Sequence, residues 1–262
     1  MTGDSDAANS SVASTVVTAF SIIEEIAARG KVLPQDLARS LGLNRATVHR
    51  MLYTLQILSY VAKHPDGTFR LTFHVFELGN TVPHSYNLIN TARPAMIALA
   101  QETGFTVNYG ILWEGAVLYV DKADPVSPLR FDRSIGETDP LHCTSLGKVI
   151  LAFVDETLRE KLLAPLKLTP STPHTITDPA ALRAEIELTR ERRYAIDDRE
   201  LSVEVRCVAT PVHRSDGTFV AAVSVSAPAD HLSIDEIHAM VPRLTATCER
   251  IGSELSATTS GG

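Results

Sequence analysis

The first sixty residues of the chain carry apolar side chains at helical spacing, separated by short polar breaks. Residues 15–28 have a helical apolar stripe, which Gly30 ends. Pro34 opens a short helix over residues 34–40, because proline suits the first position of a helix. A third helix is predicted over residues 45–55. Its apolar positions, at i, i+3, i+4 and i+7, are Val48, Met51, Leu52 and Leu55.

Two short β-like runs follow, at residues 60–63 and 68–71, and a His-Pro-Asp-Gly segment joins them. Proline fixes φ and Gly67 accepts a positive φ, so this segment favours a tight turn. Three helices followed by a hairpin are typical of a winged helix-turn-helix. The pattern therefore predicts that residues 14–72 form such a domain.

The rest of the chain changes character after a helical connector. Helices are predicted over residues 73–82 and 88–103, with residues 73–90 as a linker helix and residues 91–256 as a second domain. The predicted strands are residues 105–113, 116–123, 129–134, 206–213 and 218–227. The predicted helices are residues 146–153, 156–163, 180–193 and 234–255. Paired strands with helices between them indicate an α+β domain with a largely antiparallel sheet.

Composition places the chain among ordinary globular proteins. Hydrophobic residues make up 44% and charged residues 21%, and no apolar run reaches the ~18 residues that a membrane-spanning helix needs. Residues 1–13 are polar, lack the pattern of a signal peptide and are predicted to be a disordered leader. Residues 257–262 are predicted to be a disordered tail. The three cysteines, an odd and sparse set, argue against a disulfide framework. We therefore expect a cytoplasmic protein without membrane association.

The net charge of −7 at first argues against a nucleic-acid partner. Its distribution changes the picture. Residues 1–72 carry seven Lys/Arg and six Asp/Glu (7 − 6 = +1), which leaves −8 for the rest, and residues 16–72 carry 7 − 4 = +3. A mildly basic N-terminal module on an acidic body is expected if only the N-terminal end contacts phosphates.

The third helix is the candidate for entry into the major groove, whose width admits an α-helix. The side chains expected to contact DNA, on this helix and on the hairpin wing, are Arg45, Thr47, His49, Arg50, Lys63 and Arg70. Arginine can form bidentate contacts with guanine or phosphate, and the wing cations suit backbone phosphates. Two alternatives stay open: solvated charges on an ordinary three-helix module, and a winged helix that binds protein.

Three stretches resemble the IclR family of bacterial transcription regulators. They are LPQDLARSLGLNRATVHRMLYTLQILSYVAKHPDGTFRLT (residues 33–72), PLHCTSLGKVILAF (140–153) and RRYAIDDRELSVEVRCVATPVHRSDGTFVAAVSVSAP (192–228). The third stretch is long and matches the family without gaps, so it is the most specific of the three. The resemblance extends over about residues 14–255.

The resemblance implies a GAF-like effector-binding domain behind the DNA-binding domain. It also implies homodimers that pair into tetramers on operator DNA, and a small effector, commonly a carboxylate or aromatic acid. Arg45, Thr47 and Arg50 match DNA contacts of the family. The positions expected at the effector pocket are Ser145, Leu146, Asp197, Val205, Cys207, Ser224 and Ser226. The amides at Ser145 and Leu146 would hold an anion at a helix start, as helix N-termini do.

Simpler interpretations exist for several of these residues. Cys207 could be a packed core cysteine, Asp197 a solvated loop residue or helix cap, and the two serines ordinary strand residues. Two other functions are also conceivable. The residues Cys207, His142 or His213, and Asp197 could form a hydrolytic site, and His142, Cys143, Cys207 and His213 could bind a metal. Without a supporting motif we expect neither catalysis nor a metal, and no cofactor.

Overall fold

The computed structural model describes residues 12–85, 88–125 and 133–259 of the 262-residue chain. The chain divides after Val82 into two compact units. The division falls inside residues 73–90, so the segment predicted as a linker contributes to both units. None of the described helices is long and apolar enough to cross a membrane.

The first unit is a winged helix-turn-helix, as the sequence predicts. Its elements are α1 (Ser14–Arg29), α2 (Pro34–Ser40), α3 (Arg45–Ile57), β1 (Val61–Lys63) and β2 (Phe69–Leu71). Asn44 caps α3, because its side chain accepts a hydrogen bond from the Thr47 N–H at 2.8 Å. The four apolar positions predicted on α3 are all buried, and they pack with Ile22, Ile26 and Leu37.

The wing is an antiparallel hairpin with one addition that the sequence did not predict. Val61 pairs with Leu71 and Lys63 with Phe69. At the turn, the Asp66 Oδ1 accepts hydrogen bonds from Thr68 N at 3.0 Å and from Thr68 Oγ1 at 2.6 Å. Beyond the hairpin, the Val32 N–H donates to the Phe69 carbonyl at 3.1 Å, and the Val32 carbonyl accepts a hydrogen bond from the Phe69 N–H at 2.8 Å. This bridge ties the α1–α2 connection to the wing.

Two helices follow the wing, α4 (Phe73–Ser85) and α5 (Leu88–Thr103). The predicted break at Pro83 is wrong, since α4 continues through this proline to Ser85. Pro83 lies in the last turn, where a missing N–H removes a hydrogen bond only near the end of the helix.

The second unit is an α+β domain built on a six-stranded antiparallel sheet. Its strands are β3 (Thr106–Trp113), β4 (Ala116–Ala123), β5 (Thr138–Asp139), β6 (Ala195–Asp198), β7 (Val205–His213) and β8 (Phe219–Pro228). Their order across the sheet is β5-β4-β3-β8-β7-β6. The remaining helices are α6 (Ser145–Phe153), α7 (Glu156–Leu163), α8 (Pro179–Arg192) and α9 (Ile234–Thr259).

The sheet has a buried layer on each face. On one face α5 and α9 cover a core that includes Tyr109, Val223 and Val225. On the other face α6 packs across β7, β8, β6 and β3, over a core that includes Ala209 and Ala222. Successive residues of a strand point to opposite faces. Ala222, Ser224 and Ser226 of β8 therefore face α6.

Three expectations for the second unit need correction. The strand predicted at residues 129–134 lies mostly outside the described residues, Ser134 is not in a strand, and the strand after β4 is β5. Strand β6 was not predicted, because four residues at a sheet edge give too short a pattern to stand out. The tail predicted from residue 257 begins in α9, which runs to Thr259.

Candidate effector site and DNA-binding surface

Four polar side chains form a row across the sheet, on the face that α6 covers. Asp197 of β6 pairs with Cys207 of β7, Cys207 with Ser226 of β8, and Ser226 with Thr106 of β3. All four are less than 8% exposed. Because a buried polar group without a partner costs free energy, such a row is unusual in a sheet core. The fold thus brings together three sequence-predicted residues that lie up to 29 positions apart.

A second polar row lies beside the first. Ser224 of β8 pairs with Asn108 of β3, a residue that the sequence analysis missed. The Asn108 Nδ2 donates to Ser226 Oγ at 3.0 Å and to Ser224 Oγ at 3.4 Å. Its Oδ1 is buried and has no hydrogen-bond partner among the described residues. An asparagine inside the apolar run 106–113 was the available signal.

A Tyr–Asp–Arg group closes the β4 end of this face. The Tyr119 hydroxyl donates to Asp139 Oδ2 at 2.9 Å, and Arg133 Nε lies 2.9 Å from the same oxygen. Burial raises the pKa of Tyr119, and the charge of Asp139 adds to that effect. Burial also raises the pKa of Asp139, while Arg133 opposes the shift.

Asp197 has a structural role and also belongs to the polar row. Its Oδ1 accepts hydrogen bonds from the Glu200 N–H at 2.7 Å and from the Leu201 N–H at 3.4 Å, so it holds the turn after β6. Burial raises its pKa to about 7, against the charge of Lys148 and these hydrogen bonds. Desolvation therefore outweighs every favourable interaction of the charged form.

The N-terminus of α6 faces the sheet with two unused backbone donors. Thr144 caps the helix, because its Oγ1 accepts the Gly147 N–H at 3.0 Å and its carbonyl accepts the Lys148 N–H at 3.0 Å. The N–H groups of Ser145 and Leu146 have no acceptor within the described chain. Such groups, with the positive end of the helix dipole, favour an anion.

The side chain of Leu146 belongs to the core rather than to an open pocket. It is 1% exposed and packs against Gly110 of β3, where an added Cβ would lie 2.9 Å from Leu146 Cδ1. Leu146 can therefore offer its amide to a ligand while its side chain fills the space over β3. Val205, 8% exposed, lies two residues before Cys207 and shares its face of β7.

A buried ion pair ties α6 to the turn after β6. The Lys148 Nζ lies 2.5 Å from Glu200 Oε1 and also donates to the Ile196 carbonyl. Both charged residues are less than 8% exposed. Because a buried charge without a partner is costly, this pair fixes the distance between the α6 start and Asp197. Neither residue was identified from the sequence.

The cysteine environments do not favour a nucleophile. Burial raises the pKa of the Cys207 thiol, and it raises that of Cys143 to about 11, whereas a reactive cysteine needs a stable thiolate. His213 lies six residues from Cys207 along β7, about 20 Å away at the rise of a strand. Within the described ranges, no group of three or more His, Cys, Asp or Glu side chains could hold a metal ion.

The exposed face of α3 and the wing carry unpaired positive charge. Arg45, His49 and Arg50 are exposed on α3, and Lys63 and Arg70 are exposed on the wing. Thr47 is half-buried at the edge of the same face. In this unit the described ion pairs involve Arg29, Arg39 and His74, and none involves these five side chains. The three arginines, the lysine and His49 are therefore available to phosphates and base edges.

Comparisons with known proteins agree over most of the chain. A family described as bacterial transcriptional regulator IclR C-terminal matches residues 80–253, and the IclR helix-turn-helix domain matches residues 15–65. The HTH-type transcriptional regulator KdgR of Dickeya chrysanthemi is 31% identical over 243 residues, which are 92% of this chain and 80% of that protein.

Solved structures have the same architecture. A transcriptional regulator from Rhodococcus sp. RHA1 is 29% identical with a TM-score of 0.84, over 94% of this chain and 100% of that one. An IclR homolog from Microbacterium hydrocarbonoxydans, complexed with 4-hydroxybenzoate, shares the fold with a TM-score of 0.81 at 23% identity, over 92% and 99% of the two chains.

A winged helix-turn-helix with an unpaired cationic face, followed by an α+β domain, defines a DNA-binding transcription regulator. The chain belongs to the IclR family of bacterial transcriptional regulators.

Proposed function

We propose that this regulator binds operator DNA through α3 and the wing, and that a small organic acid bound between the sheet and α6 changes its operator affinity. The observation that supports an effector site most strongly is the buried polar row of Asp197, Cys207 and Ser226, on the sheet face that α6 covers. A ligand would give the Ser145 and Leu146 amides and the Asn108 Oδ1 the hydrogen bonds that the described protein groups do not supply.

The chemistry of the site favours a carboxylate with an apolar body and a second polar group. The ligand carboxylate would accept hydrogen bonds from the Ser145 and Leu146 amides. The unpartnered Asn108 Oδ1 would accept from a ligand hydroxyl, beside the hydroxyls of Ser224 and Ser226. Val205 and Cys207 would contact the apolar body. Hydroxylated aliphatic acids and aromatic acids both fit this description.

For DNA, we propose that α3 lies in the major groove. Arg45, Thr47, His49 and Arg50 would contact base edges and the adjacent phosphates, while Lys63 and Arg70 on the wing would contact the backbone. This assignment is supported by the exposure of Arg45, His49, Arg50, Lys63 and Arg70 and by the absence of ion-pair partners for them in the described part of this unit.

The DNA-binding half is tested with an operator fragment that the purified full chain selects from genomic DNA. In fluorescence anisotropy, Arg45→Ala or Arg50→Ala should weaken operator binding by about 1–3 kcal/mol. Lys63→Ala should reduce the slope of log affinity against log salt concentration by about 1. Arg29→Ala is the matched control, because Arg29 pairs with Glu25 on α1. Unchanged affinity in both α3 variants would sink the assignment of the recognition helix.

The effector half is tested by calorimetric titration of a panel of carboxylic acids into the full chain, with 4-hydroxybenzoate as the first probe. Ser224→Ala and Asn108→Ala should weaken binding of the acid that the wild type prefers by about 5- to 100-fold, since each removes a hydrogen bond to a buried polar group. Ser40→Ala, on α2 of the other unit, is the control. Equal affinities in wild type and both site variants would refute the proposed pocket.

We also propose that the regulator forms homodimers that pair into tetramers on the operator. Residues Val16, Val17 and Phe20 on α1 are each at least 50% exposed, an apolar surface that a second copy would cover. Light scattering should give two or four times the chain mass of 28.4 kDa. A mass that corresponds to one chain per operator in the protein–DNA complex would contradict this proposal.

A further inference from the structure

A cavity of about 240 Å³ opens at the far end of β7, between the β7–β8 turn and α9. The side chains that matter for its chemistry are Arg193, Thr210, His213, Arg214, Glu249 and Ser253. Two guanidinium groups, one imidazole and several hydroxyls thus line a space in which Glu249 supplies the one carboxylate. The excess of positively charged donors favours an anion.

Neither arginine has a carboxylate within ion-pair distance among the described residues, although Asp216 in the β7–β8 turn interacts electrostatically with Arg214. Neither Arg193 nor Arg214 forms an ion pair within the described ranges, although 13 of the other described lysines and arginines do. The Arg214 Nε is buried and has no hydrogen-bond partner among the described residues. A charged donor left in this state costs free energy that a bound acceptor would recover.

Aromatic rings rather than a carboxylate hold Arg193. Its Cζ lies 5.3 Å from the Phe153 ring centroid, and its Nη2 lies 3.5 Å from His213 Nδ1. The His213 ring contacts Phe153 edge-on at 5.3 Å between centroids. The guanidinium is therefore positioned by cation–π contact while its N–H groups stay available to a ligand.

His213 reports on the charge balance of this cavity. Burial lowers the pKa of its imidazole, and the nearby charge of Arg193 lowers it further. An anion between the two side chains would offset that positive charge and stabilise the imidazolium. Occupation of the cavity should therefore raise the pKa of His213.

We propose that this cavity is a second ligand site, which binds a small anion with a carboxylate or phosphate group through Arg193 and Arg214. Guanidinium groups bind both kinds of anion in bidentate fashion. The cavity is separate from the proposed effector site, since His213 and Cys207 lie about 20 Å apart along β7. The proposal is therefore independent of the effector assignment.

Calorimetric titration of the full chain with inorganic phosphate and with succinate, at constant ionic strength in chloride, tests this site. We expect saturable binding of at least one anion, at least tenfold weaker in Arg193→Gln and in Arg214→Gln. Arg190→Gln is the matched control, because Arg190 lies on α8, pairs with Glu187 and does not line the cavity. The preferred anion shows whether the natural ligand is a carboxylate or a phosphate.

Three outcomes would overturn the proposal. They are no saturable binding of either anion, equal affinity in the wild type and both arginine variants, and loss of binding in Asp197→Asn with retention in Arg214→Gln. The last outcome would assign the anion to the sheet–α6 site instead.

Histidine NMR on the wild-type chain keeps the test decisive if an arginine variant fails to fold. The saturating anion should raise the pKa of His213 by at least half a unit and should leave the resonances of exposed His231 unchanged. A His213 titration that the anion does not alter would overturn the proposal.

Discussion

Replacing Asp197 with asparagine should remove a pH-dependent loss of stability that this carboxyl imposes on the second unit. Asn keeps an Oδ1 that can accept the hydrogen bonds from the Glu200 and Leu201 N–H groups, so the turn after β6 is preserved. What the variant loses is the ionisable group. Any change in the pH profile therefore reports the charge of Asp197.

The magnitude follows from the pKa of Asp197, which burial raises from 3.8 to about 7. The native state keeps this proton to a higher pH than the unfolded chain does. Between these two pKa values the native state binds more protons, so the free energy of unfolding falls as pH rises. The free energy of unfolding falls by about 1.36 kcal/mol per pH unit in this range. Ionisation of Asp197 therefore lowers it by about 4 kcal/mol above pH 7, and about 3 kcal/mol of this decrease occurs between pH 5 and 8.

The assay is urea unfolding at several pH values, followed by the fluorescence of Trp113, the one tryptophan of the chain, which reports on the second unit. Between pH 5 and 8, the free energy of unfolding of the wild type should fall by about 3 kcal/mol more than that of Asp197→Asn. Glu204→Gln, which removes an exposed carboxylate nearby, should keep the wild-type slope. Parallel profiles for wild type and Asp197→Asn would refute the reasoning.

Two further predictions concern the support of the α6 N-terminus. An added Cβ at Gly147 would lie 2.3 Å from the Leu141 carbonyl oxygen, so Gly147→Ala should lower the free energy of unfolding by roughly 3 kcal/mol or more. Gly79→Ala is the control, because Gly79 has open space around it and this substitution should not destabilise the protein. Lys148→Met should cost about 3–5 kcal/mol because it leaves Glu200 buried without its partner, and adding Glu200→Gln should recover most of that loss. Urea unfolding checks both, and an unaltered midpoint in either single variant would contradict the packing described.

The winged helix-turn-helix was predictable because its signals are local. Helical periodicity, the proline that opens α2 and the Pro-Asp-Gly turn each act within a few residues, and the structure confirms all three. The bridge between Val32 and Phe69 was not predictable, since it pairs one backbone position with a strand 37 residues away. The local sequence pattern around Val32 does not predict that contact.

The proposed effector site shows the same limit more strongly. Its predicted residues came from resemblance, and the sheet register brings Asp197, Cys207 and Ser226 together. Asn108 escaped notice because its polarity has meaning only once Ser224 and Ser226 lie beside it. Strand β6 escaped because a short edge strand is recognised by its partner rather than by its own residues. The cavity at Arg193 and Arg214 likewise depends on contacts between distant segments.

In the proposed mechanism, a ligand bound between the sheet and α6 controls DNA binding by α3. This mechanism is tested most directly by operator affinity, measured by anisotropy with and without a saturating acid that calorimetry has shown to bind. The ligand should change the affinity of wild type by about 5- to 150-fold and should leave that of Ser224→Ala nearly unchanged at the same concentration. A ligand effect of equal size in both proteins, or none in wild type, would contradict the account.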